Sequence, residues 1–232
     1  MATEKTFYEH LDELRNVIVR CILAIILLSV LAYFFKEEIL KLMLKPFDGE
    51  LTFISPSEPL YIFIKLSFVV GFILSFPYIL FETWKYFSDV AHLHNKKVSV
   101  YFVLSLLLFY GAIYLCYLFV LPLALDFLIG FESEGLVPNI TFSNYFDFVI
   151  TLLLGFGLSF QFPIILFLLM KFNILTLKQV KSSRSYFIVI IFIISAILTP
   201  PDIISQMIMA LPLVLLFEIT LLIARIKIVN AR

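Results

Sequence analysis

Lys65, Gln161, Gln206 and Glu218 are polar side chains inside long hydrophobic runs of this chain. An ionisable group at the centre of an apolar helix costs about 2.5–3.5 kcal/mol on insertion scales, so each such residue needs a reason. Glu218 has no cation at i, i+3 or i, i+4 and must therefore face a polar cavity, a partner or a proton. Lys65 is long enough to snorkel toward an interface. Asp202 is placed to cap the helix that follows it, with Gln206 one turn on. Catalytic constellations are missing: there is no metal-spaced His/Cys cluster, no phosphate-cradling glycine loop and no set of nucleophile, base and orienter. An enzyme is not expected, and no cofactor is called for. His92 and His94 could share a metal, but at i, i+2 they diverge on a helix, and solvated polar residues are the simpler reading. Cys21 and Cys116 fall near opposite ends of their apolar runs and read as small apolar residues rather than a disulfide.

The elements that position these groups are membrane helices. Of 232 residues, 62% are hydrophobic and 27 are phenylalanine, and the mean hydropathy is +1.06; a soluble domain is roughly half apolar. Six apolar segments run at about 17–35, 60–81, 98–121, 146–170, 186–199 and 203–224, where a spanning helix needs about 20 residues. The predicted fold is all-α: one polytopic membrane domain over residues 1–232 with six spans, the last two short and joined by a tight turn at Pro200, Pro201 and Asp202. The first segment is too long, and too acidic in its flank (Glu9, Asp12, Glu13), for a cleaved signal peptide.

Net charge is zero, but its distribution is not even. If the spans alternate, Lys5, Arg15, Arg20, Lys85, Lys96, Lys97, Lys171, Lys178, Lys181, Arg184, Arg225, Lys227 and Arg232 fall on one side, which is then the cytoplasm, with both termini there. The outer loops cover about 36–59 and 122–145, and the second carries acids without a Lys or Arg. Thr6 and Glu9 form a capping box for a helix that should run unbroken into the first span. KEEILKLMLKP puts Ile39, Leu40, Met43 and Leu44 on one face and stops at Pro46, as an interfacial helix does. The Asn139-Ile140-Thr141 sequon is a short pattern, common by chance, and is given no function.

Prolines at Pro77, Pro122, Pro163 and Pro212 punctuate the spans, and each frees a carbonyl that protein rather than lipid must satisfy. GFILSFPYILF from Gly71 and GFGLSFQFPIILF from Gly155 are alike apart from two inserted residues. Such parallel repeats occur in transporters, which keeps open a secondary transporter or channel for a small solute, with Glu218, Gln206 and Gln161 as its midplane site.

Seven motifs then occur in order: HLDELR from His10, SPSEPL from Ser55, FPYILFETW from Phe76, VLPLAL from Val120, GFGLSFQFP from Gly155, LTPPD from Leu198 and LPLVLLFEI from Leu211. With them the chain resembles, along nearly its whole length, the TatC family, the receptor subunit of the twin-arginine protein translocase. The resemblance implies a non-enzymatic receptor in the cytoplasmic (inner) membrane that binds paired-arginine signal peptides of folded proteins. It implies the single-span partners TatA and TatB, an oligomeric assembly and transport driven by the proton-motive force.

The resemblance also implies residue roles. Glu13 of HLDELR, beside Arg15, would bind a signal arginine, although by residue type alone it is a solvated face residue. Pro46, Glu58 and Pro59 would shape the outer cap. Asp202 and Gln206 would belong to a partner-docking region, and Glu218 matches the acid of the sixth helix. Two positions depart from the pattern. Gln161 stands where the family usually has Glu, and Asn95, in HNKK, stands where a second arginine-binding glutamate is expected. Glu82 and Asp89, at i, i+7, are the candidates to compensate, Glu82 first because it lies closer to the membrane. The bland alternative pairs Glu82 with Lys85 at i, i+3 or with solvent.

Overall fold

A computed structural model describes residues 7–47, 49, 51–90, 97–130, 140–171, 174–199 and 203–229. Thr6, Asn139, His92, His94 and the Pro200–Asp202 turn lie outside it. The described chain is helical, and its one β-type pairing is an isolated bridge between Thr52 and Thr141. Contacts divide it into two compact units, residues 1–106 with 141–146, and residues 107–140 with 147–232.

In the first unit α1 runs Phe7–Phe34 without a break, so the HLDELR helix continues into the first apolar run as expected. At about 1.5 Å per residue it is long enough to cross a hydrocarbon core of about 30 Å and still project from it. After Phe35, α2 (Lys36–Leu44) is amphipathic in the predicted sense: Met43 is buried, Ile39, Leu40 and Leu44 are half-buried, and Glu37, Glu38 and Lys41 are exposed. It ends in a turn at Lys45 and Pro46. The second span, α3 (Glu58–Val90), carries Pro77 inside it and continues well past the apolar segment. α1 packs along α3. The helices approach so closely that a Cβ on Gly71 would lie 2.5 Å from the Ser29 nitrogen and 2.6 Å from its Cα.

Two of the following spans lose regular α-helix just before a proline. α4 (Lys97–Leu115) passes through a π-helical turn, Cys116–Val120, into α5 (Leu121–Ile129), which has Pro122 in its first turn. The fourth span is α6 (Phe142–Ser159) and α7 (Phe162–Lys171). The break between them falls at the two residues by which the fourth segment exceeds the second. There Gln161 N–H reaches back to the Leu158 carbonyl at 3.0 Å, and the Gln161 carbonyl accepts from both Ile164 and Ile165 at 3.1 Å. A short α8 (Leu177–Ser182) starts at a capping box in which Thr176 and Gln179 satisfy each other's backbone N–H.

Among the described residues, five stretches are long and apolar enough to cross a membrane: Leu11–Phe34, Glu58–Tyr86, Val100–Ile129, Phe142–Lys171 and Gln206–Ile226. The sixth apolar helix, α9 (Arg184–Leu198), has 15 residues. The expectation of two short final spans is therefore corrected: the fifth is short, but α10 (Ile203–Val229) has 27 residues. Pro212 lies within α10 without ending it, and Glu218 is accommodated by a cation from α9 rather than terminating the apolar run.

Candidate functional site

At the end of α3 that holds Tyr86, α1 and α3 enclose a polar cavity of about 190 Å³ lined by Glu13, Asn16, Arg20, Glu82, Lys85 and Tyr86. Glu13 and Arg20 are i, i+7 and share a face of α1, while Glu82 and Lys85 come from α3. Glu82 is 5% exposed. Arg20 Nη1 donates to both of its carboxylate oxygens, at 3.2 and 3.4 Å, and Tyr78 Oη donates to Oε1 at 3.1 Å. The buried carboxylate is thus held by a guanidinium on the neighbouring helix, a partner outside the two expected readings of Lys85 or solvent. Val17 and Tyr86 also line an adjoining apolar groove with Leu14, Ile18, Cys21 and Ile79.

Arg15 turns to the exterior and pairs with Asp12 at 3.6 Å, both side chains being about 70% exposed, a geometry worth under about 1 kcal/mol. Asp89 lies within α3, whose unbroken course past Phe81 puts it on the same face as Glu82. Its side chain and Asn95 lie outside the described residues.

At the other end of the first unit, the start of α6 shows how Pro46, Glu58 and Pro59 are used. The N–H groups that open a helix have no intrahelical partners, and here those of Phe142, Ser143 and Asn144 are satisfied from outside the ladder. Phe142 N–H donates to the Thr52 carbonyl at 2.7 Å, Ser143 to Glu58 Oε1 at 3.2 Å and Asn144 to Thr141 Oγ1 at 3.3 Å, before Tyr145 N–H makes the first regular bond to the Thr141 carbonyl at 3.0 Å. Glu58 Oε2 accepts from Ile54 N–H at 2.8 Å, so one carboxylate ties the loop before α3 to α6. Tyr145 Oη donates to the Met43 carbonyl at the end of α2, at 2.7 Å. Pro59 lies in the first turn of α3, where its missing N–H costs nothing, and half-buried Pro46 follows α2.

The intramembrane polar groups are individually engaged. Lys65 Nζ sits 5.9 Å from the Tyr61 ring centre, one turn back toward Glu58, in keeping with snorkelling to that end. Gln161 is buried at the α6–α7 break. Gln206 Nε2 donates to the Phe192 carbonyl of α9 at 3.0 Å. Glu218 Oε1 lies 2.6 Å from Arg184 Nε; the contact is a charge pair outside hydrogen-bond alignment. Asp202 lies outside the described residues. Cys21 is half-buried and Cys116 buried, both as free thiols.

Comparison with known proteins sets this arrangement in a family. The family described as "Sec-independent protein translocase protein (TatC)" matches residues 9–212. The Sec-independent protein translocase protein TatC of Aquifex aeolicus is 38% identical over 226 residues, covering 94% of each chain. The chain belongs to the TatC family. The Escherichia coli K12 TatC protein is 34% identical over 230 residues, covering 96% of this chain and 89% of that one. A crystal structure of the twin arginine translocase receptor TatC in DDM superimposes with a TM-score of 0.86 at 38% identity, covering 93% of this chain and 99% of that one. A second crystal structure of that receptor gives a TM-score of 0.82 over 94% of this chain.

Within this TatC-family chain, sequence reasoning missed Arg20 and Arg184, which it counted only as charges marking one side of the membrane. A spacing signal existed for the first: Arg20 stands seven residues, about two helical turns, after Glu13, inside the apolar run rather than before it. Arg184 opens α9, and a cation at a helix N-terminus opposes the helix dipole unless an acid answers it. The acid is Glu218.

Proposed function

We propose that this chain is the receptor subunit of the twin-arginine translocase, a multi-pass protein of the cytoplasmic membrane that binds signal peptides with paired arginines and does no covalent chemistry itself. The observation that carries the reading is the cavity between α1 and α3, in which Glu13 and a buried Glu82 come together and Glu82 already holds a guanidinium. A partly desolvated carboxylate binding a guanidinium contributes about 1.5–3 kcal/mol, and the planar fork of arginine suits it better than the ammonium of lysine. The solute-carrier reading is not favoured: the family is a protein translocase, and Gln206 and Glu218 are engaged by Phe192 and Arg184 instead of lining a vacant midplane site.

Binding of a twin-arginine peptide should be measured on the full chain and on Glu13→Gln, Glu82→Gln, Asp89→Asn and Asn95→Glu. Glu13→Gln is expected to weaken binding about 10- to 100-fold, as loss of a charge-assisted pair implies, and Glu82→Gln to weaken it by a smaller factor. If Glu82→Gln and Asp89→Asn bind like the parent while Glu13→Gln fails, one carboxylate suffices and Asn95 is uncompensated. Parental binding by Glu13→Gln would remove the proposal itself.

TatA and TatB helices are assigned to α9 and α10. α9 is short and α10 presents exposed Met207 and Leu211 beside Gln206. Gln206 gives its amide hydrogen to Phe192, leaving its carbonyl oxygen as the acceptor for a neighbouring helix. Such bonds in lipid average about 0.6 kcal/mol and reach about 1.7, so Gln206→Ala should weaken assembly without abolishing it. Cysteine crosslinking from position 206 to each partner is the test, and contacts confined to α1 or α4 would contradict the assignment.

A further inference from the structure

Arg20 is assigned no role by the family motifs, yet its guanidinium contacts both oxygens of the buried Glu82 carboxylate. We infer that Arg20 is a resident guanidinium: it occupies Glu82 in the unliganded receptor and surrenders it to an arginine of the incoming peptide, so that the site is exchanged and never emptied. The inference rests on the reading of the cavity as an arginine site.

Burial of Glu82 is the first support. A carboxylate this enclosed cannot be left without a cation, because neither water nor lipid repays the lost solvation. Tyr78 supplies one neutral donor, and Arg20 supplies the charge. The second support is the manner of the pairing. A single nitrogen, Nη1, is shared between the two oxygens at 3.2 and 3.4 Å. A guanidinium can instead place two nitrogens on two oxygens at about 2.7–2.9 Å, the stronger arrangement. An incoming arginine that reaches Glu82 with its fork therefore outcompetes Arg20. An incoming lysine, limited to an ammonium, gains nothing over the contact it must displace. The third support is asymmetry of exposure: the Arg20 side chain is 50% exposed and that of Glu82 7%. Once displaced, Arg20 swings into water at small cost, whereas Glu82 stays in place for the next cation.

The exchange makes Arg20 an intramolecular competitor, which weakens every ligand that uses Glu82. Replacing it should tighten binding, the reverse of what a positioning residue or a peptide-binding residue would do. The experiment measures affinity of a synthetic twin-arginine peptide for the purified full chain in detergent. The variants are Arg20→Gln, Arg20→Lys, Lys85→Gln and the double variant Arg20→Gln/Glu82→Gln.

Arg20→Gln is expected to bind about tenfold tighter than the parent and Arg20→Lys by an intermediate factor. The double variant, which keeps the parent's net charge and places two amides where the ion pair stood, should show none of the gain. Lys85→Gln removes a positive charge from the same cavity and controls for general electrostatics; its gain is expected to stay under threefold. Should Arg20→Gln lose folding for want of a cation beside Glu82, Arg20→Lys still decides the matter, since it retains the charge. Unchanged or weaker binding by a folded Arg20 variant overturns the exchange, as does an equal gain in Lys85→Gln or in the double variant. If the parent and Glu13→Gln bind the peptide alike, the arginine-site reading has failed instead, and the Arg20 result is then judged apart from it.

Discussion

Replacing Gly71 by alanine is expected to destabilise the protein strongly, and by leucine to prevent α1 and α3 from packing at all. An added Cβ would run into Ser29 Oγ and stand 2.5 Å from Ser29 N and 2.6 Å from Ser29 Cα. A hydroxyl can rotate away, but a helix backbone cannot, so the whole of α1 must move. Overpacking generally costs about 1–3 kcal/mol, occasionally more, and here the rigid obstacle puts Gly71→Ala at about 3 kcal/mol and Gly71→Leu beyond it.

The other glycines calibrate the claim. At Gly155 the nearest atoms are the ends of the Leu198 side chain, at 2.8–3.2 Å, which can turn aside. At Gly111 nothing lies within 4 Å. Gly111→Ala should be neutral or stabilising by up to about 1 kcal/mol, since alanine is the better helix former. Thermal unfolding in one detergent should rank Gly71→Ala well below Gly155→Ala, and Gly155→Ala below Gly111→Ala. Equal melting temperatures for Gly71→Ala and Gly111→Ala would contradict the close crossing. The same displacement separates Glu13 on α1 from Glu82 on α3, so Gly71→Ala should also impair peptide binding without altering a residue of the cavity.

The spans were legible in the sequence because lipid leaves so few options. Long apolar runs with charges confined between them read directly as helices, and the interfacial face of α2 followed from its 3.6-residue period. Gln161 was singled out for its polarity, and its position proved to be the break in the fourth span, at the two-residue insertion relative to Gly71–Phe81. What sequence could not supply was pairing across helices. Arg20 and Glu82 are 62 residues apart, and no periodicity links them. By sequence Arg20 was one of the charges marking one side of the membrane, and Glu82 was given to a signal arginine, to Lys85 or to solvent; only the packing of α1 along α3 joins the two. Glu58 was attached to the outer cap by resemblance, but its use as an acceptor for Ile54 and for the first turn of α6 depends on a loop contact 85 residues away. Length misled in one place: the sixth span reads as short in the sequence, whereas α9 alone is short and α10 has 27 residues.

Glu218 shows most clearly how a polar residue in an apolar run is resolved. Sequence demanded a cavity, a partner or a proton for this acid; the structure supplies Arg184 from the start of α9. Glu218 lies eight residues before the apolar stretch of α10 ends at Ile226, about 12 Å inward at 1.5 Å per residue. Arg184, the first residue of the short α9, meets it there with its long side chain. The two members of the pair are not equivalent. Arg184 has a side chain 57% exposed against 33% for Glu218, and without its acid it can extend back to the interface. Glu218 has a short side chain and cannot leave the apolar run. Arg184→Gln should therefore cost about 3 kcal/mol, the range for an uncompensated charge in such a setting. Glu218→Gln should cost under about 1 kcal/mol, because a neutral amide is left in its place and the arginine snorkels. The double variant Arg184→Gln/Glu218→Gln should recover most of the loss of Arg184→Gln, since two amides can hydrogen-bond across the same gap. Unfolding midpoints of the three variants in one detergent give the comparison. Equal losses in the two single variants, or no recovery in the double, would mean that the pair stabilises α9 against α10 by packing rather than by answering the charge of Glu218.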